Sequence, residues 1–323
     1  MPLILRATHT TLCTCAAIAL VAGCSASQGQ VSSAVPAPPN AAIITHAERG
    51  ASWMAPDAKA SDLLYIADDA TNDVYSYAYP HIKLKGTLTG FVRPGGECVD
   101  KAGDLFIADN GASDIIEYAH GGASPIAVLN DPGYVPLGCA VDPTSGNLAV
   151  TNVGTLSRGQ GTVVIYKHAR GGPKAYYTDP EMFEVGYCGY DNKGDLFVDG
   201  LTSGGEFTFA EIPAGGASFT NIKISQPIEE PSGVQWDGTH IAVGAEVGVI
   251  YEFIIKGKKG TEVGTTPLIG ASDIQDFWID RPNVIGADFG AGDVGIWAYP
   301  SGGSRKKTIA VSEPVGAVVS VAK

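Results

Sequence analysis

The chain has 323 residues, 45% of them hydrophobic and only 17% charged, with 42 glycines and a formal net charge of −13. That balance suits a large β-rich globule with many turns and ample core. It opposes nucleic acid, whose phosphates need clustered Lys and Arg, and it supplies no polybasic patch for a membrane surface.

The first residues, MPLILRATHTTLCTCAAIALVAGC, carry one basic residue, Arg6, and then an apolar run ending in small side chains. This is the pattern of an export signal, and the run is too short for a confident membrane span of about 20 residues. Its end, Val21-Ala22-Gly23-Cys24, resembles the lipobox of bacterial lipoproteins. The resemblance implies a signal peptide over residues 1–23, acyl chains such as palmitate on Cys24, and, with Ser25 next, a place in the cell envelope at the outer membrane. An ordinary secretory signal with a chance cysteine is the plainer alternative. Cys13 and Cys15 fall inside the removed segment and form no metal site.

Residues 24–61 are rich in Ser, Ala and Pro and lack periodicity, as a flexible tether would, with a typical reach of about 35 Å. Trp53 and Met54 interrupt the polar run, either docking on the body or forming a sticky spot in the tether.

From Asp62 the chain repeats itself. Segments built like DLFIADNGASDIIEYAHGG begin at Asp62, Asp104, Asn147, Asp195, His240 and Val284, about 40 to 48 residues apart. Six copies of several short strands each predict an all-β, six-bladed β-propeller of four-stranded blades over residues 62–323. In each copy DLFIAD reads as a second strand, DIIEYA as a third, a Gly-rich turn follows, and segments such as SPIAVLND, AYYTDP, FTNIKIS and KKTIAVS read as the next strand. The innermost strands close on Asp turns, as in GECVDKAGD and GVQWDGTH, where the Asp side chain caps its own turn. The body opens on a second strand, LLYIAD, and the chain ends on EPVGAVVSVAK, which matches only an innermost strand. Tail and head are therefore expected to complete one blade together, so that no edge is left for aggregation.

The motif G-x-C-V-D-x-x-G-D-L-F-I-A-D-N-x-x-x-D-I-I-E-Y resembles the NHL and SMP-30-like six-bladed propellers across residues 62–323. The resemblance speaks for fold more than function, because propellers host enzymes, receptors and scaffolds. It implies a ligand site at the channel mouth formed by the loops entering the innermost strands and the turns after the second strands. The second-strand turns carry Asp68, Asp109, Asn152, Asp199, Glu246 and Asp288, the incoming loops Arg93, Glu184, Glu229, Glu230, Asp273 and Glu313, and Glu97 follows close by. Glu97, Asp109, Asn152, Asp199 and Asp288 are the candidate binding residues. SMP-30-like lactonases use a Glu, two Asn and an Asp around a divalent ion, so Ca²⁺ is the cofactor the resemblance implies, on Glu97, Asn152 and Asp199 or Asp288. The second Asn has no counterpart here, and turn capping explains the same Asp residues.

His81, His120 and His168 fall in turns after third strands and His240 in an Asp turn, all on the face opposite that mouth, so an imidazole base is lacking there. Cys98, Cys139 and Cys188 lie on innermost strands. They read as buried free thiols, with a Cys139–Cys188 disulfide or a metal or catalytic thiol as alternatives, and Cys98 is one residue out of register. Tyr134, Phe183, Trp236, Phe277 and Trp278 read as wedges between blades, able to stack a ring if they reach the channel. The expectation is a lipid-tethered monomeric module that binds a protein or small ligand without chemistry. The alternative is a divalent-metal hydrolase.

Overall fold

The computed structural model describes residues 51–323 apart from Pro227; the segment expected to be an export signal, Cys24 and the expected tether up to residue 50 lie outside the described residues. Six sheets, their main strands antiparallel, follow one another along the chain, and their order is that of a six-bladed propeller. The second blade is representative: Pro94–Val99 is innermost, then Leu105–Asp109, Asp114–Tyr118 and Pro125–Asn130 outward. The innermost strands of the third to sixth blades are Tyr134–Val141, Glu184–Tyr190, Pro231–Trp236 and Ile274–Asp280.

Each second strand is built mainly of apolar residues because both its faces are covered. In Leu63–Asp68, Leu63, Tyr65 and Ala67 pack with Leu105, Ile107 and Tyr118 of the second blade. Leu64 and Ile66 pack on the other side with Ile285, Val294 and Ile309 of the sixth. Six such cores, one between each pair of neighbouring blades, hold the ring. The blade ends are fixed as the Asp turns predict. Asp100 accepts the amides of Ala102 (2.8 Å) and Asp104 (2.9 Å), and Asp191 those of Lys193 (2.8 Å) and Asp195 (3.0 Å).

The expected closure is present. Pro314–Ser320 is the innermost strand of the first blade, pairing antiparallel with Leu63–Asp68 from Leu63↔Ser320 to Asp68↔Pro314.

Two details depart from the regular repeat. Trp53–Met54, within the segment read as tether, docks as a fifth outer strand on Lys83–Leu88. Gly86 makes room for it, since Met54 lies where a Cβ would be. FTNIKIS is not one strand: Thr220–Asn221 pairs with Phe207–Ile212 of the fourth blade, and Lys223–Ile224 crosses to lie parallel to the fifth blade's outer strand, Lys259–Ile269. The fifth blade's outer hairpin, Val249–Lys256 with Lys259–Ile269, is longer than its neighbours and captures that segment.

Candidate binding site in the central channel

Antiparallel blades give the ring two faces. The chain enters every innermost strand from one face, which also carries the turns after the second strands, and leaves it at the Asp turns of the other. We call these the entry and exit faces.

On the entry face the candidate carboxylates are occupied with backbone. Asp109 accepts the amides of Val92 (2.9 Å) and Arg93 (2.8 Å) in its own blade's incoming loop. Asp288 takes the amides of Ser272 (3.1 Å), Asp273 (3.0 Å) and Ala291 (3.2 Å) and the Arg305 guanidinium. Asp68 does the same with Ala70 (3.1 Å) and Glu313 (3.0 Å), the latter across the ring closure. Asn152 donates from Nδ2 to Asp131 Oδ2 (2.8 Å) and Thr162 Oγ1 (3.1 Å). All four side chains are buried. In these four blades they pin the incoming loop to the end of the second strand.

Asp199 and Glu246 differ in their electrostatics. Asp199 accepts the Tyr187 amide at 2.5 Å, yet burial pushes its pKa up to about 7 against the pull of the Tyr187 and Gly233 amides. Glu246 is also pushed up to about 7, by burial and then by the charges of Asp273 and Glu230.

Deeper in the channel, Glu97 presents a different situation. It is 5% exposed, and neither carboxyl oxygen has a hydrogen-bond partner. Burial, and after it the charge of Asp276, hold its pKa well above the usual carboxylate range; the Ala67 amide, outside hydrogen-bond geometry, pulls more weakly the other way. Asp276 lies at a bulge where the sixth blade's innermost strand slips register between Ile274 and Asp276. The bulge leaves its partly buried side chain in the channel wall, where Oδ1 accepts the Phe277 amide at 2.8 Å. Burial and Asp199 raise its pKa as well. Tyr187 sits at the corresponding bulge of the fourth blade, its ring close over Gly138, and burial with the charge of Asp276 raises its phenol well above the usual value.

Glu97, Asp276 and Tyr187 form the inner wall of a cavity of about 260 Å³ in the exit half of the channel. Its outer wall is Val99, Val141, Pro143, Tyr190, Trp236 and Trp278, from the ends of five innermost strands and the turn after one of them. Of the sequence candidates, only Glu97 reaches it. Trp236, Phe277 and Trp278 line it, whereas Tyr134 stacks on Tyr176 with centroids 4.9 Å apart and Phe183 is exposed. Asp276 and Tyr187 were invisible to sequence reasoning because their exposure to the channel depends on bulges that no repeat spacing announces.

The cysteines correct the expectation of three free thiols. Cys98 and Cys139 form a disulfide between the second and third blades, with Cα atoms 5.6 Å apart, and Cys188 is the buried free thiol. Equivalent positions on neighbouring blades face the same way around the ring, so Cys139 and Cys188 do not meet. The one-residue offset turns Cys98 to the opposite face of its strand, toward Cys139.

Among the described residues, one His/Cys/Asp/Glu trio, Asp237, His240 and Glu252, brings potential ligand atoms within 4.8 Å of one another. Asp237 Oδ2 is already held by Arg281 (2.6 Å) and the Tyr299 hydroxyl (2.7 Å). Glu97, Asp199 and Asp276 do not converge in that way. Of the donors implied for Ca²⁺, Asn152, Asp199 and Asp288 each hold hydrogen bonds within the protein.

The ring, its closure and its axial cavity define the class: a six-bladed β-propeller with a walled central site. No family model and no curated protein matches the chain. Among solved structures, a chain of a nidogen/laminin complex superposes with a TM-score of 0.65 at 11% identity, covering 81% of this chain and 100% of that one. A functionally unknown protein from Desulfotomaculum acetoxidans DSM 771 gives 0.57 at 8%, with 81% and 100% coverage. At such identities the likeness shows the fold alone.

Proposed function

We propose that the protein is an envelope-tethered binding module whose propeller holds a small molecule in the exit half of its channel without transforming it. The observation that carries this reading is Glu97, a buried carboxyl in a cavity wall with no hydrogen-bond partner. Such a group costs about 1–3 kcal/mol unsatisfied, and a ligand that supplies a donor recovers that cost. The aromatic outer wall adds the apolar surface typical of small-molecule sites, and the cavity lies near the lower end of their sizes.

The tether belongs to the same proposal: the lipobox-like Val21-Ala22-Gly23-Cys24 supports acylation of Cys24, and Ser25 supports the outer membrane. Kinship with NHL and SMP-30-like propellers rests on the repeated motif and the ring it builds. The metal-dependent hydrolase of the SMP-30-like type is less well supported, since Asn152, Asp199 and Asp288 are engaged with the protein itself.

Thermal unfolding against a library of small neutral and charged molecules tests the reading. Compounds that stabilise the wild type and fail to stabilise Trp278→Ala are expected. Stabilisation by no compound, or equally in both proteins, would contradict it.

A further inference from the structure

We infer that the ligand of this cavity is a small organic cation, an ammonium group carried on a compact apolar body, an inference that rests on the channel-binding reading above. Three observations converge on it. The inner wall offers two carboxyls, Glu97 and Asp276, and the Glu97 oxygens accept nothing from the protein. No Lys, Arg or His lines the cavity, so the protein supplies no counter-charge. Five aromatic side chains, Tyr187, Tyr190, Trp236, Phe277 and Trp278, make up much of the remaining wall.

Each observation selects the same chemistry. A buried carboxylate is tolerable when a cation is paired with it and hydrogen-bonded to it, and an ammonium brings both the charge and the donors. Aromatic faces attract the same charge through their quadrupoles and pack the apolar remainder. An anionic ligand would meet two acids and electron-rich rings. A neutral alcohol would satisfy Glu97 but gain nothing from the second acid.

The empty and filled cavities should also differ in protonation. The groups facing Glu97 and Asp276 are one another, Asp199, Tyr187, Tyr65 and Cys188, all acidic when they titrate and none cationic. Without ligand the site keeps its protons; an arriving ammonium displaces at least one, so binding tightens as pH rises.

The experiment uses the purified full-length protein and three probes of similar shape: 2-phenylethylammonium, 2-phenylethanol and 3-phenylpropanoate, each titrated calorimetrically at about pH 6 and about pH 8. The ammonium is expected to bind at least about tenfold more tightly than the alcohol at the higher pH, to weaken by up to about tenfold per unit as pH falls, and the propanoate not to bind. Glu97→Gln and Asp276→Asn, each confirmed folded by thermal unfolding, are expected to weaken the ammonium about tenfold and leave the alcohol within about twofold. An alcohol that binds as tightly as the ammonium and is lost in Trp278→Ala would overturn the cation inference and leave channel binding standing. Ammonium binding indifferent to Glu97→Gln, Asp276→Asn and Trp278→Ala would overturn both. No binding by the ammonium at millimolar concentration would overturn the inference.

Discussion

Cys98 and Cys139 join the innermost strands of the second and third blades, at the wall of the same cavity that Glu97 and Cys188 line. The bond closes a loop separated by 41 residues in sequence, so in the chain-entropy view it stabilises the ring by about 4 kcal/mol. It also suits an exported chain, since disulfides persist in oxidising compartments.

Reduction, or Cys98→Ala, is therefore expected to lower the unfolding midpoint by several degrees. Cys188→Ala should have a smaller effect, because that thiol is bonded to nothing covalently. Thiol titration in denaturant checks the pairing: for the chain without its signal and with Cys24 acylated, one free thiol is expected before reduction and three after it.

Asp199 makes stability depend on pH. Its folded pKa of about 7 lies above the unfolded value near 4, so the folded state holds the proton more tightly. Its contribution is fully present below about pH 4 and is lost as pH rises to about 7, a penalty on the order of a few kcal/mol that then stays constant. Asp199→Asn should remove this slope. We expect the variant to gain stability relative to the wild type between about pH 4 and 7, read as the difference in midpoint across a pH series. Parallel curves would contradict it.

Removing residues 314–323 takes away the innermost strand of the first blade, leaves one edge of Leu63–Asp68 unpaired, and strips Val318 from the core on one side and Ala317 and Val319 from the core on the other. The expected product has no cooperative transition and aggregates through the exposed edge. Removing only residues 321–323, outside the strand, should cost little.

The ring was legible in the sequence because the repeat is written in the physics of turns and buried strands. Asp100 and Asp191 announce their turns, LLYIAD its two covered faces, and the terminal VGAVVSVA its missing partners. The site was only partly legible. Glu97 entered as a positional match to the SMP-30-like site, near the start of an innermost strand, but Asp276 and Tyr187 reach the channel through bulges, where one extra residue changes which side chain turns to the axis. The carboxylates that the turns advertise, Asp109 and Asp288 among them, proved to be holding incoming loops. Loop pinning and ligand binding use the same residue type, and spacing alone does not separate them.

Calcium gives a direct contrast between the two functional readings. A site filled at about 100 times its dissociation constant adds about 2.7 kcal/mol of stability. Because Asn152 and Asp199 are already engaged, we expect neither Ca²⁺ nor a chelator to move the unfolding midpoint. A shift of several degrees that Glu97→Gln abolishes would instead support the metal-dependent hydrolase and call for a lactone screen.

The most direct measurement is a crystal structure of the protein with the compound that stabilises it best. We expect the ligand in the exit half of the channel, with a donor on Glu97 and its apolar body against Trp236 and Trp278. A ligand bound instead at the entry face, beside Glu246 and Asp273, with the cavity beneath Glu97 unfilled, would contradict the account.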